Sequence, residues 1–391
     1  MIVRDLAPFL SRWAQAYPVV TLTGPRQSGK TTLCRQVFPD KPYASLEPLE
    51  TRAFAREDPK GFLAQFPDGA VLDEVQRAPD LLSYLQGLVD QDPRPGRFIL
   101  TGSQQLGLTA GVSQSLAGRT AILHLLPASL GEVRRFPVAP KDLFSTLFFG
   151  GYPRIHDRGI PPDRWLSDYL ATYVQRDVRM VLNIGDLESF VTFLRLCAGS
   201  AGQELNLSRL GADAGIAQST ARAWLSVLET SFIVFRLPAW HDNFRKRLVK
   251  APKLFFYDSG LLCHLLGLQN PDQLLSHPLR GAIFESWAAS ELVKQRYHQG
   301  LQPHAFHFRE VSGLEVDLMV RDGATILLVE AKSGQTMDGS FLDTLKELMD
   351  PLQRAHPEAR IQPVLLYGGD QAQLRQGIQV LPWHAVEELR P

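Results

Sequence analysis

The residues Gly24-Pro25-Arg26-Gln27-Ser28-Gly29-Lys30-Thr31 follow the pattern G-x-x-x-x-G-K-[ST]. Such a pattern cradles phosphate when a strand runs into it and a helix leaves it, because the two glycines let main-chain N–H groups turn inward onto phosphate oxygens. Both conditions hold here, with an apolar run at 19–22 before it and a helical run at 31–37 after it. The positive end of the helix dipole, together with Thr32, completes a nucleotide-binding set. In that chemistry Lys30 faces the β- and γ-phosphates and the Thr31 hydroxyl ligates Mg²⁺, so ATP and Mg²⁺ are the expected cofactors. A second apolar strand, 70–72, ends in Asp73 and Glu74. Asp73 suits the metal's water shell, and Glu74 suits polarisation of an attacking water. A third strand ends in Thr101, Gly102 and Ser103, where Thr101 or Ser103 could sense a γ-phosphate or simply form a turn. Arg119 has two readings: an arginine finger, in cis or from a neighbouring subunit, or an exposed helix-terminal arginine.

A second constellation lies near the C-terminus. Asp317 sits within an apolar run at 314–320, a tight turn follows at Arg321-Asp322-Gly323-Ala324, and the next apolar run ends in Glu330-Ala331-Lys332. On adjacent antiparallel strands Asp317 and Glu330 can converge on one divalent metal, and Lys332 shares the face of Glu330 because side chains alternate. Glu285, on a preceding amphipathic helix at 279–297, can join them. A second Mg²⁺ or a Mn²⁺ is the expectation, since a cation beside a metal-activated water equips a site for phosphodiester hydrolysis. A hairpin charged only for solubility is the plainer alternative, but the apolar surroundings of Asp317 and Glu330 speak against it.

A third pattern spans 205–257. A short apolar helix, Gly215 in the turn, and a second helix opening at Gln218-Ser219-Thr220-Ala221-Arg222 have helix-turn-helix grammar, with Ser219 or Thr220 as cap. Strand-like runs at 233–237 and 253–257 flank a segment with Arg245, Lys246, Arg247 and Lys250, the densest positive cluster in the chain. A basic wing that contacts DNA phosphates is one reading, with Arg222 on the recognition helix; a solvated charge run on a purely structural module is the other.

The elements that must position these residues fall into three expected domains. The first, 1–128, alternates strands (19–22, 43–46, 70–72, 97–100, 121–125) with helices (31–37, 49–57, 81–90), as a parallel α/β sheet requires. From 129 to 268 helical periodicity dominates, punctuated by Gly150-Gly151-Tyr152-Pro153. A mixed α/β domain occupies 269–391, with strands at 304–309, 314–320 and 325–330. Across 391 residues, 41 basic side chains balance 41 acidic ones, so any attraction to nucleic acid must be local. Three scattered cysteines fit neither a disulfide framework nor a zinc site, and no apolar run is long enough to span a membrane. A cytoplasmic protein without a membrane partner is expected.

Taken in order, Gly24 to Thr32, Leu72-Asp73-Glu74-Val75-Gln76-Arg77, Leu100 to Ser103, Ser115 to Arg119, Gly150 to Pro153, Gln175-Arg176-Asp177 and Glu330-Ala331-Lys332 resemble a widespread prokaryotic family. Its members join an AAA+-like P-loop ATPase domain to a C-terminal domain with a PD-(D/E)xK nuclease-like core. The resemblance implies an AAA+-like sheet, a helical and winged-helix region, and a restriction-endonuclease-like domain. It implies Lys30 and Thr31 as nucleotide and Mg²⁺ contacts, Asp73 and Glu74 as Walker B acids, and Glu285, Asp317, Glu330 and Lys332 as the nuclease-like set. The proline of the nuclease motif is absent, with Glu315-Val316 before Asp317. A role on DNA, including branched DNA, is implied, and homo-oligomers are expected of such ATPases. An ATP-dependent switch with a silent C-terminal domain, or a regulatory ATPase that senses a protein partner, are the alternatives.

Overall fold

A computed structural model of the chain describes residues 2–103, 115–173, 187–240, 251–309 and 314–390. Their contacts divide into two compact units: Met1–Ala128 with Thr230–Phe232 and Arg296–Leu301, and Ser129–Glu229 with Ile233–Gln295 and Gln302–Pro391. The residues expected to form separate helical and C-terminal domains thus share the second unit, apart from the short segments grouped with the first.

In the first unit, α1 (Ala7–Ala14) precedes β1 (Val19–Thr23), α2 (Lys30–Val37), β2 (Tyr43–Ser45), α3 (Leu49–Glu57), α4 (Pro59–Ala64), β3 (Ala70–Asp73), α5 (Leu81–Gln91), β4 (Phe98–Gly102) and β5 (Thr120–His124). The strands form one parallel sheet in the order β2-β3-β4-β1-β5. A parallel sheet needs cover on both faces, and alternate strand residues supply two apolar layers. Val19, Leu72 and Leu100 pack with Leu81 and Leu85 of α5 on one side. Val20, Leu22, Val71 and Ile99 pack with Leu6, Leu10 and Leu33 on the other. The register that pairs Thr23 with Gly102 and Ser45 with Asp73 lines up the carboxyl ends of the strands, where the loops carrying the chemistry emerge.

The second unit opens with short helices α6 (Leu130–Val133), α7 (Leu143–Phe149) and α8 (Pro153–Arg158), then α9 (Pro162–Tyr173) and α10 (Leu187–Gly199). Next come α11 (Leu207–Asp213) and α12 (Gln218–Thr230), the antiparallel pair β6 (Val234–Leu237) and β7 (Lys253–Phe256), α13 (Ser259–Leu265) and the long α14 (Arg280–His298). A six-stranded mixed sheet follows, built from β8 (Ala305–Arg309), β9 (Glu315–Asp322), β10 (Thr325–Lys332), β11 (Arg360–Tyr367), β12 (Gln373–Arg375) and β13 (Ile378–Pro382), with α15 (Asp343–Ala355) between β10 and β11. Its order is β12-β13-β11-β10-β9-β8. Leu345, Leu348 and Leu352 of α15 pack on Met319, Ile326, Leu328 and Leu365 of one face. Two of these elements carry prolines that argue against them locally: Pro351 inside α15 and Pro363 inside β11. Helix α12 begins at Gln218, so Ser219 and Thr220 lie in its first turn and neither is the cap. The Gln175-Arg176-Asp177 motif lies outside the described residues. Among the described residues no helix is long and apolar enough to cross a membrane.

The Gly150-Gly151-Tyr152-Pro153 motif has a structural explanation. Gly150 ends α7 at φ 66° and ψ −159°, a region essentially reserved for glycine. A Cβ there would lie 2.4 Å from Asp258 Oδ1. Gly151 N–H donates to Asp258 Oδ2 at 2.7 Å, while Leu261 N–H at the start of α13 donates to Oδ1 at 2.8 Å. Buried Tyr152 packs on Trp165 and Tyr169, with its hydroxyl 3.0 Å from that of Tyr169. Pro153 then starts α8 without a missing donor. Gly150→Ala is expected to destabilise the second unit by about 1–3 kcal/mol for the backbone region alone, with more from the clash. An unchanged thermal unfolding midpoint in that variant would contradict this account.

Candidate functional site

The loop leaving β1 is shaped by close approach. At Gly24 (φ 151°) a Cβ would lie 2.1 Å from the Leu125 carbonyl oxygen, so only glycine lets the loop start beside β5. At the other end Gly29, with φ 96° and ψ 18°, delivers the chain into α2. Between them Gln27 adopts φ 62°, and the buried Ser28 hydroxyl donates to the Pro25 carbonyl at 3.0 Å. Arg26 and Gln27 stand at the outer side of the loop, and Thr32 is exposed on α2. A residue outside the motif braces it: Arg4 donates to the Ser28 carbonyl at 2.7 Å and to the Leu126 carbonyl at 2.8 Å. The Lys30 ammonium donates to the carbonyls of Gly24 and Pro25 at 2.9 and 2.7 Å. Burial lowers its pKa to about 8, against the opposing pull of Glu74 and Asp73.

Asp73, at the end of β3, is 5% exposed and takes hydroxyl hydrogen bonds from three elements. Thr31 on α2 donates to Oδ2 at 2.8 Å, Tyr43 on β2 donates to the same oxygen at 2.6 Å, and Thr101 on β4 donates to Oδ1. Burial and the bond to Asp73 push the Tyr43 phenol up to about 12, so it stays protonated and donates to Asp73. The Arg35 guanidinium lies 3.9 Å above its ring. Glu74 has φ 59° and ψ 43°, a left-handed conformation rare for a side chain of its size. Its Oε2 accepts from Gln76 Nε2 at 2.5 Å and from the Ser103 hydroxyl at 3.3 Å. The loop's inward curvature, a buried ammonium and a hydroxyl-bound carboxylate fit a nucleotide with its Mg²⁺, which would supply an activated phosphoryl group to a site bordered by Glu74. Sequence reasoning missed Tyr43, Gln76 and Arg4 as site residues. Gln76, two residues beyond Glu74, carried a local signal, whereas Tyr43 and Arg4 reach the site only through folding.

One predicted placement needs correction. Arg119 precedes β5, and its carbonyl accepts from Val19 N–H, so it stands at the amino end of β1. The phosphate loop leaves the carboxyl end, about 16 Å away for five residues at 3.3 Å each. Its guanidinium is paired with Asp90 at 2.5 and 2.9 Å. The cis arginine-finger reading therefore fails on geometry. Asp317 and Glu330 lie on adjacent antiparallel strands, β9 and β10, and Glu285 faces them from α14. Their oxygens and those of Glu285 do not gather into one three-carboxylate group. Asp317 Oδ2 accepts from Ala331 N–H at 2.8 Å, and Glu330 Oε1 accepts from Lys332 at 2.5 Å. Lys253, from β7, donates to Glu285 at 2.9 Å and pairs with Glu315 at 2.5 Å.

This cluster borders a cleft of about 350 Å³ that Arg280, Lys332 and Ser333 also line. Burial, then Asp317, pushes Glu285 up to about 8 and Glu330 up to about 7. Burial likewise raises Asp317. Burial pulls Lys253 and Lys332 down, but the surrounding carboxylates outweigh it and hold both above the ordinary lysine value. On the α11 and α12 pair, Arg222 is exposed on α12 while Trp224 and Leu225 are buried. Arg245, Lys246, Arg247 and Lys250 lie outside the described residues.

The sheet order, the phosphate loop at the carboxyl edge and the acid pair at the end of β3, with β4 between β3 and β1, define the first unit as an AAA-like P-loop ATPase domain. Residues 16–134 match the family described as AAA domain. Residues 140–272 and 280–386 match two families described as domains of unknown function, DUF8612 and DUF4143. The chain is 31% identical over 334 residues to the uncharacterized protein Rv2008c of Mycobacterium tuberculosis, covering 81% of this chain and 70% of that protein. The uncharacterized protein Mb2031c of Mycobacterium bovis matches equally. The chain belongs to the family of these proteins. Among solved structures, the Walker-type ATPase PABY2304 of Pyrococcus abyssi is similar over 67% of this chain and 94% of its own, at 16% identity and a TM-score of 0.45.

Two outcomes follow from this geometry. Tyr43→Phe removes one of three donors that orient Asp73, and is expected to raise the Mg²⁺ concentration for half-maximal ATP turnover by at least about tenfold. ATP binding without Mg²⁺ should not change, and an unaltered Mg²⁺ titration would count against the role. The other outcome is a pH dependence at His124, which shares a 2.7 Å hydrogen bond with Thr23, just before the phosphate loop, and packs on Tyr297 and Phe232. Burial lowers its pKa to about 4 from an ordinary 6.5. The unfolded chain then binds the proton more readily, so this stability is complete above pH 6.5 and is lost as pH falls towards 4. The ceiling is about 3 kcal/mol, since part of the ring still reaches solvent. His124→Asn should flatten that acid limb of the unfolding free energy; an identical pH profile would refute the assignment.

Proposed function

We propose that this protein is an ATP-hydrolysing DNA-remodelling or DNA-processing protein, with branched DNA among its substrates. The carrying observation is the pairing of two differently held acids beside the phosphate loop: Asp73, bound by three hydroxyls, and Glu74, turned out by a left-handed backbone. In this reading the loop residues Gly24 to Thr32 wrap the phosphates, and Lys30 neutralises the charge that develops on the transferred group. Thr31 and Asp73 hold Mg²⁺, while Glu74, oriented by Gln76 and Ser103, takes a proton from the attacking water. Thr101 and Ser103 link the two acids to β4, which suits a sensor of phosphate state. Any arginine finger comes from a neighbouring copy, consistent with a homo-oligomer.

Contact with DNA is supported by the order α11, α12, β6, β7, in which a helix-turn-helix is followed by an antiparallel pair. Arg222 is exposed on the second helix, and Arg245, Lys246, Arg247 and Lys250 occupy the segment joining the two strands. In a chain with no net charge, such a local cluster is the natural phosphate contact. A second reading, an ATP-dependent switch whose C-terminal domain binds DNA or a protein partner without cleaving, is favoured by the two lysines among the C-terminal carboxylates.

ATP turnover measured with and without duplex, single-stranded and four-way DNA tests the proposal. Stimulation by DNA is expected, with at least about 100-fold loss of turnover in Lys30→Ala. Alanine at Arg222, Arg245, Lys246, Arg247 and Lys250 together should remove the stimulation and leave basal turnover intact. Turnover indifferent to every DNA, with no binding at low salt, would eliminate the DNA role.

A further inference from the structure

The nuclease-like core implies a divalent metal held by Asp317 and Glu330, but the second unit supplies a different cation. Lys253 opens β7, whose backbone is held on both flanks. Leu254 N–H donates to the Gln203 carbonyl at 3.1 Å, and Leu205 N–H donates to the Pro252 carbonyl at 2.8 Å. Lys253 itself forms an isolated antiparallel bridge with Glu204. Its register opposite Leu237 sends a side chain only 5% exposed into the acidic cluster. There its ammonium meets Glu285 at 2.9 Å and Glu315 at 2.5 Å, with Asp317 close enough to raise its affinity for the proton.

We propose that Lys253 is the resident cation of this cluster: it takes the electrostatic place of the divalent metal, so that the C-terminal domain holds no catalytic metal and does not cleave phosphodiesters. This inference deepens the reading of a non-cleaving C-terminal domain and is independent of the ATP site, because it concerns only what neutralises these carboxylates.

Three features carry it. The carboxylates of Asp317 and Glu330 are already engaged, by Ala331 N–H and by the Lys332 ammonium, and together with Glu285 they do not converge on a common point. A metal ion added among them would lie against two ammonium groups, Lys253 and Lys332, whose repulsion is strong in a buried setting. Counter-charge is supplied from within the cluster: Lys253 pairs with Glu285 and Glu315, Lys332 pairs with Glu330, and Arg309 lies 3.7 Å from Glu315. Glu330 Oε2 is buried without a hydrogen-bond partner, as a metal ligand would be. Its other oxygen, Oε1, already carries the Lys332 ammonium at 2.5 Å, so Glu330 has a counter-charge without a metal.

Mn²⁺ binding to the nucleotide-free full-length protein, followed by calorimetry and by the spin resonance of free Mn²⁺, separates these cases. Wild type and Asp317→Asn are expected to take up the same amount of Mn²⁺. Lys253→Met should gain one further Mn²⁺ per chain, and the gain should vanish in Lys253→Met/Asp317→Asn. If Lys253→Met melts early, recovery of its melting temperature by Mn²⁺ but not by added NaCl supports the proposal equally. A wild-type Mn²⁺ site that Asp317→Asn abolishes overturns it. So does a folded Lys253→Met that gains no Mn²⁺. Should Lys253→Met fail to fold, the comparison of wild type with Asp317→Asn decides alone.

Discussion

A carboxylate removed from water must be given hydrogen bonds or a counter-charge, and Asp73 receives three hydroxyl donors where β3 ends. Hydrogen bonds to a charged group contribute about 1.5–3 kcal/mol each, so this clasp ties together the elements that supply them. Those elements are α2 through Thr31, β2 through Tyr43 and β4 through Thr101. Because Thr31 also ends the phosphate loop, the position of the loop and that of the acid are set by one network. The strand order β2-β3-β4-β1-β5 makes this possible, placing β3 between the strands that carry Tyr43 and Thr101. Glu74 is released from the clasp by its left-handed backbone and is held separately by Gln76 and Ser103. Two adjacent acids thereby acquire different surroundings, which is the usual route to different chemical roles.

The second unit solves the same problem by counter-charge. Its acids, half-buried or buried, come from α14, β9 and β10, and lysines lie among them. Replacing a counter-ion by nothing would leave several charges unpaired, which is costly in a low-dielectric setting. Lys332 arrives from within the same strand as Glu330, but Lys253 arrives from β7, more than sixty positions before Asp317. The β6 and β7 pair is therefore tied to the cluster, and the helices α11 and α12 that feed into that pair share a compact unit with the six-stranded sheet.

Much of the architecture was legible because it is written in short-range patterns. Apolar runs of three to five residues located β1 to β5 within one or two positions, since a strand buried on both faces needs an uninterrupted apolar stretch. Helices α2, α3 and α5 and the β9–β10 hairpin were equally plain, whereas α1 and α4 went unread. The missed elements have local reasons: α15 and β11 contain prolines that disfavour them until packing overrides the preference. At the candidate sites, motif residues landed together when they were close in sequence or sat on neighbouring strands. Arg119 did not, because a helix-terminal arginine carries no record of which end of the sheet it will occupy.

By itself the sequence determined the parts whose chemistry is local. A glycine-bounded loop can curl only one way onto phosphate, a strand-end acid pair follows from strand length, and E-x-K places two side chains on one face by alternation. Tertiary structure alone decided the partners: Tyr43 on Asp73, Arg4 under the phosphate loop, Asp258 on Gly151, and Lys253 among the C-terminal carboxylates. The physical reason is reach. Backbone geometry acts over a few residues, whereas the field at a buried carboxylate depends on whichever charged or hydroxyl group the packed strands bring within about 3 Å, wherever it stands in the chain.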